Sequence, residues 1–354
     1  MTDFATRHAA FREQVQSALD TFLARHTPGL AHISDALTPT ISALAEFLSG
    51  GKRLRPACAY WGYRGAGGTD DAIIAASASL ELLQASALIH DDVMDNSDSR
   101  RGQPSIHRQF EALHLQQHLH GDAAQFGAAS AILIGDLALA WTDTMYYESG
   151  FDADALSRGK RILDAMRTEL MAGQFLDVAE QARGGGSVDR ARRVMRYKTT
   201  AYTIERPLHL GAALAGAAEA TFHAYSAFGI PLGEAFQLRD DLLGVFGDAD
   251  ETGKPAGDDL REGKRTVLVA IAHERASAAD RTTLDALIGN PTLTADEISN
   301  VRAILEHTGA RADVESRIEV NRALAMAALD TDAITADAAT MLQALAVAAT
   351  DRTA

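Results

Sequence analysis

Between Pro104 and Pro207 the chain runs without a single proline. Alanine and leucine dominate that stretch and much of the rest. Both lead the helix propensity scale, and proline is the residue that breaks helix interiors. Runs rich in Val, Ile and Thr with period-two alternation are scarce. Such a chain has little choice but to pack helices, and an all-α fold is expected.

Glycine-rich breaks divide the helices. Gly50-Gly51 closes a first helical region, and residues 65–68 form a short loop before a long helix over 70–96. A polar loop follows over 97–105, and Gly184-Gly185-Gly186-Ser187 reads as a flexible turn between two helices. Residues 247–263 form a long loop rich in Gly, Asp and Lys, of the kind that carries function. Thr294 and Glu297 have capping-box spacing and open a helix. With no repeat and no long polar linker, the 354 residues are expected to form one helical domain.

The N-terminal residues contain no apolar run of the signal-peptide type. The most apolar stretch, 128–141, is interrupted by Asp136 and is short of the ~20 residues that span a bilayer. Neither a leader nor a membrane span is expected. Cys58 is the lone cysteine, which excludes an internal disulfide and suits a reducing cytoplasm. We read it as a core residue.

The chain carries 48 acidic and 33 basic residues, a net charge of −15. Nucleic acid is a poor partner for such a surface. The 47% hydrophobic content is too high for disorder. The acidity also looks hostile to anionic substrates, until the acidic residues are located.

Two segments concentrate carboxylates at the end of apolar helical stretches. One holds His90-Asp91-Asp92-Val93-Met94-Asp95; the other holds Gln237-Leu238-Arg239-Asp240-Asp241. On a helix Asp91 and Asp95 share one face. Like charges at that spacing repel unless a cation sits between them. Mg²⁺ prefers such oxygens, completing its sphere with water and substrate phosphates. Basic residues stand close by in sequence: Lys52, Arg53 and Arg55 after Gly50-Gly51, then Arg100-Arg101, then Lys254, Lys264 and Arg265. Lys and Arg supply charge-assisted bonds to phosphate oxygens. The pattern describes a metal-bridged diphosphate site.

Taken in order, these motifs resemble those of the trans-isoprenyl diphosphate synthases. They are Gly51-Lys52-Arg53-Leu54-Arg55-Pro56, His90 to Asp95, Arg100-Arg101-Gly102, Tyr197-Lys198-Thr199, Phe236 to Asp241, and Gly253-Lys254 through Lys264. The likeness covers about residues 50–270. It implies an isoprenoid synthase-type bundle with a deep central cavity, usually a homodimer. The implied reaction adds isopentenyl diphosphate head-to-tail to an allylic diphosphate and releases pyrophosphate. By the same resemblance Lys52, Arg55, Gln84 and Arg101 hold isopentenyl diphosphate. Arg100, Lys198, Lys254 and Lys264 contact the allylic diphosphate. Asp91, Asp95 and Asp240, with Asp241 beside them, hold three Mg²⁺ ions. Thr199 and Gln237 place dipoles near the developing allylic cation. The released pyrophosphate takes the final proton, so no side-chain base is nominated. Mg²⁺ inverts the local sign, which reconciles anionic substrates with an acidic chain.

One departure stands out. Many members carry a third aspartate where this chain has Gly244. Asp241 or Asp248 is then expected to assist Asp240. Product length follows from the helix before Asp91. Ala87, Leu83 and Leu80 lie on roughly its face, and a helical turn of about 5.4 Å approximates one isoprene unit. In the family, aromatics at the positions of Ser86 and Ala87 stop products at farnesyl length. Both are small here, so geranylgeranyl diphosphate is expected, with Leu83, Leu80 or Trp141 as the floor. The alternatives are another chain length, a class I terpene cyclase, or a non-catalytic subunit of a heteromeric synthase. Lys52, Arg55 and Arg101 count against the cyclase. His107, His114, His118 and His120 lack zinc-site companions and are read as a polar surface helix. Arg352 is a candidate cover for the diphosphate.

Overall fold

The computed structural model describes residues 2–247 and 257–350. Asp248, Lys254 and Arg352 therefore lie outside the described residues. The expected helical class holds. Among the described residues the strands are confined to the expected 97–105 loop, where β1 (Ser99–Arg100) pairs antiparallel with β2 (Gln103–Pro104).

The chain folds as two compact units. The first comprises residues 1–161 and 207–217. It contains α1 (Thr2–Ile33), α2 (Thr38–Phe47), α3 (Leu54–Gly65), α4 (Ala72–Met94), α5 (Ile106–Gln116) and α6 (Ala123–Tyr147). Its centre is α4, which packs against α1, α3, α5 and α6. Small Ala and Ser side chains around α4 allow this crowding, and most of the helix is buried. His90 reaches from α4 to α6, where its Nε2 lies 3.1 Å from the Ile132 carbonyl oxygen.

Two expectations need correction in this unit. The apolar stretch 128–141, expected to be too short to span a bilayer, lies inside α6, a helix of 25 residues that includes Asp136. Both α4 and α6 are long and apolar enough to cross a membrane. Burial identifies α4 as a core helix, whereas α6 exposes Phe126, Ile132, Leu133 and Tyr147. The histidines do not form a polar surface helix either. His107 and His114 are buried. The His114 ring packs at a tilt against Phe126, with centroids 5.3 Å apart, and its Nε2 meets the His120 carbonyl at 3.1 Å. The apolar partner arrives from α6, which local sequence could not reveal.

The second unit comprises residues 162–206 and 218–354. It holds most of α7 (Ala153–Arg183), then α8 (Val188–Val194) and a π-helical stretch, Met195–Glu205. After α9 (Arg206–Ala215), nearly all of which belongs to the first unit, comes α10 (Glu219–Phe246), the long helix of the second. Leu238, Leu242 and Val245 of α10 share a core with Leu260, Leu268, Ile271, Val301, Leu305 and Val314. Pro231 lies inside α10, and Pro28 lies inside α1. An interior proline costs about 3 kcal/mol. In α10 the surrounding burial of Phe228, Leu232, Ala235 and Leu238 offsets that cost. The capping box at Thr294 and Glu297 is formed and opens helix Ala295–His307.

Candidate active site

In the first unit the site grows from the C-terminal end of α4. Asp91 lies in the last turn and is 8% exposed. Asp95 caps the helix, its N–H donating to the Asp91 carbonyl at 2.8 Å. A helix C-terminus carries partial negative charge, so acidic side chains there favour a cation. Asp92 is also buried, and sequence reasoning left it without a role. Arg100 Nε donates to its Oδ1 at 2.9 Å, and the same guanidinium lies 3.7 Å from Asp91 Oδ2. Arg100, expected on a diphosphate, is thus held by the aspartate cluster itself.

The basic turn is built around Arg53. Its φ of 52° is left-handed, and Gly50 and Gly51 beside it also have positive φ. The turn holds because Arg53 is buried against Glu81 of α4, the Leu48 carbonyl and Gln16. That anchoring leaves Lys52 exposed and Arg55 half-buried. Arg101 Nη1 lies 3.8 Å from where a Cβ on Gly51 would stand. Burial lowers its pKa from the usual guanidinium value; Glu81 opposes this, while Arg53, Arg100 and Arg55 add to it. Glu81 and Asp92 already neutralise Arg53 and Arg100 within this basic cluster. Gln84 is half-buried, two turns before Asp91.

Of the proposed ruler, Leu80, Leu83 and Ser86 are buried and Ala87 is half-buried. Trp141 packs edge-on against Phe22 of α1, with centroids 5.7 Å apart.

In the second unit, Lys198 and Thr199 lie in the π-helical stretch. Such segments often occur at functional sites because they re-aim side chains. A Cβ on Gly173 of α7 would fall 2.3 Å from the Lys198 backbone nitrogen, and one on Gly233 of α10 would fall 2.8 Å from Thr200 Cα. Both glycines let the flanking helices press against this stretch. One turn after Gly173, Asp177 accepts from Lys198 Nζ at 2.5 Å. Thr199 is half-buried.

Further along α10, Gln237 Nε2 donates to Asp241 Oδ1 at 2.7 Å. Burial pushes the Asp241 carboxyl up to about 8; Asp259 and Asp240 raise it further, while Gln237 and Lys264 oppose the rise. Asp240 is half-buried. Lys264 Nζ sits 2.5 Å from Glu262 Oε2 and 3.5 Å from Asp259 Oδ1. Sequence reasoning missed Asp177, Asp259 and Glu262. Only the last two had a signal, their place in the 247–263 loop.

The carboxylates at the end of α4, and separately those on α10, are the oxygen donors that Mg²⁺ prefers. Among the described residues no three His, Cys, Asp or Glu side chains converge to hold a metal by themselves. Mg²⁺ tolerates this because water and substrate oxygens complete its octahedron.

Residues 39–305 match the polyprenyl synthetase family. The chain is 43% identical to a geranylgeranyl pyrophosphate synthase from Corynebacterium glutamicum, solved with isoprenyl diphosphate and magnesium. That match covers 97% of this chain and 99% of the other, with a TM-score of 0.93. A (2E,6E)-farnesyl diphosphate synthase from Mycobacterium tuberculosis is 30% identical, over 85% of this chain and 84% of its own length. A geranylgeranyl diphosphate synthase from the same organism is 35% identical, over 74% and 69%.

The chain belongs to the polyprenyl synthetase family and has its isoprenoid synthase-type helical fold. It is an enzyme, a trans-prenyltransferase of the class that condenses isopentenyl diphosphate head-to-tail with allylic diphosphates using Mg²⁺.

Proposed function

We propose that this enzyme makes geranylgeranyl diphosphate by successive additions of isopentenyl diphosphate to shorter allylic diphosphates. The observation that carries the product is the small pair Ser86 and Ala87 on α4, just before Asp91. A chain growing down that face meets no aromatic ring there. The likeness to the Corynebacterium geranylgeranyl pyrophosphate synthase supports the same length.

In this reading Lys52, Arg55, Gln84 and Arg101 bind isopentenyl diphosphate, and the turn anchored by Arg53 and Glu81 orients them. Arg100, Lys198, Lys254 and Lys264 bind the allylic diphosphate, with Asp92 and Asp177 aiming two of these cations. Asp91, Asp95, Asp240 and Asp241 hold the metal, three ions per site. Bound Mg²⁺ neutralises the charge that builds on the leaving pyrophosphate. Thr199 and Gln237 present dipoles to the allylic carbons, and apolar walls keep water from the cation. The proton lost after carbon–carbon bond formation goes to pyrophosphate.

The chain acts as one polyprenyl synthase domain, in the cytoplasm. We assign it a homodimer: the apolar residues that α6 exposes need cover, and a second copy supplies it.

Replacing Ala87 with Phe tests the ruler. Products are expected to shorten by at least one five-carbon unit, read by chromatography of the dephosphorylated alcohols. An unchanged product spectrum would sink it.

A further inference from the structure

The π-helical stretch Met195–Glu205 is fastened at its far end by Glu205, a carboxylate that is 3% exposed. Its Oε2 accepts from Arg196 Nη2 at 2.6 Å, and its Oε1 accepts from Ser226 Oγ of α10 at 2.8 Å. Arg196 and Glu205 stand at the two ends of the stretch, nine residues apart. In an α-helix each residue turns the chain by about 100°, so residues at that spacing fall on opposite faces. With i→i+5 bonding a turn takes about 4.4 residues, and the same two residues come round to one face. The ion pair therefore fits the π register, and an α register would break it.

Neighbours complete the clamp. A Cβ on Gly229 of α10 would lie 3.0 Å from Glu205 Cα, so glycine lets the two segments touch. The next residue, Arg206, donates from Nε to Glu169 Oε2 of α7 at 2.7 Å. Glu169, Gly173 and Asp177 follow at four-residue spacing along α7, and the last two meet Lys198. We infer that Glu205 is a positioning residue for the reaction: paired with Arg196 and Ser226, it holds the stretch in π register and so aims Lys198. The register sets the direction of every side chain between the two ends, Lys198 and Thr199 included. The inference rests on the reading that Lys198 binds the allylic diphosphate. The rival role for Glu205 is to neutralise Arg196 and stabilise the fold without setting the direction of Lys198.

The test is a double-variant cycle read by steady-state kinetics, with geranyl diphosphate and isopentenyl diphosphate varied in turn. The proteins are the full chain, Glu205→Gln, Lys198→Met and the two changes combined, each checked for helicity by circular dichroism. Glu205→Gln keeps the shape of the side chain and removes its charge. It is expected to lower kcat/KM for geranyl diphosphate about tenfold, with KM for isopentenyl diphosphate within about twofold of the original. With Lys198→Met already in place the same change is expected to cost less than about twofold, because the ammonium it aims is gone. Equal losses in the two backgrounds overturn the inference and leave Glu205 a structural partner of Arg196. So does an undiminished kcat/KM in Glu205→Gln. If Glu205→Gln does not fold, Ser226→Ala takes its place in the cycle. It is expected to lose about threefold in the original chain and nothing measurable after Lys198→Met; equal losses, or none, overturn the inference. An unchanged kcat/KM for geranyl diphosphate in Lys198→Met alone defeats the reading of Lys198 and this inference with it. That failure is told apart from failure of the clamp, because the variant retains Glu205.

Discussion

Lys198 places its ammonium 2.5 Å from the Asp177 carboxylate, across two segments brought together by Gly173. Asp177 is 8% exposed, so the pair is shielded from solvent on the aspartate side. A charge-assisted hydrogen bond there is worth about 1.5–3 kcal/mol. Asp177→Asn is expected to lower kcat/KM for the allylic diphosphate by about tenfold or more, with little change in KM for isopentenyl diphosphate. Steady-state kinetics with each substrate varied in turn checks this. Equal losses toward both substrates would count against a specific role in aiming Lys198.

Gly173 can be probed by itself. A methyl group there meets backbone, not a movable side chain. Overpacking of that kind costs about 1–3 kcal/mol. Gly173→Ala should lower the urea midpoint and reduce turnover together, because the π-helical stretch must shift.

Arg53 and Glu81 form a buried pair, their side chains 3% and 6% exposed. Breaking such a pair leaves an uncompensated charge and costs about 3–5 kcal/mol. Glu81→Gln should therefore destabilise the chain by that order in urea unfolding, and weaken isopentenyl diphosphate binding as the basic turn loosens. Asp71→Asn is the control. Its pairing with Arg64 leaves the aspartate 90% exposed, and exposed pairs contribute about 0–1 kcal/mol. Similar losses in both variants would refute the distinction.

Cys58 is buried, and burial pushes its thiol up to about 12. At pH 8 the native thiol is therefore neutral and shielded. Iodoacetamide should leave it unmodified in the native chain and alkylate it readily in denaturant, as read by mass spectrometry. Rapid native alkylation would show that α3 opens far more often than its packing suggests.

Features set by local chemistry were legible in the sequence. The helix ending in Asp91 and Asp95, the Gly184 turn and the Thr294–Glu297 capping box each depend on neighbours in the chain. What the sequence hid depends on partners from elsewhere. Asp177 is one more polar residue of the long α7 until the π-helical stretch brings Lys198 to it. His114 looked solvent-facing until α6 supplied Phe126. The place of Gly244 in the sequence does not announce that the Asp259 carboxylate stands 1.9 Å from where a Cβ there would be. The left-handed backbone at Arg53 is likewise unpredictable from residue type, since Glu81, the Leu48 carbonyl and Gln16 together hold it.

The central claim is a prenyltransferase that stops at geranylgeranyl diphosphate. The direct measurement is to incubate the purified chain with Mg²⁺, isopentenyl diphosphate in excess and dimethylallyl diphosphate, then identify the end product by chromatography after dephosphorylation. Geranylgeraniol as the accumulating alcohol is the predicted result. Farnesol as the end product, a longer polyprenol, or no elongated product at all would contradict it.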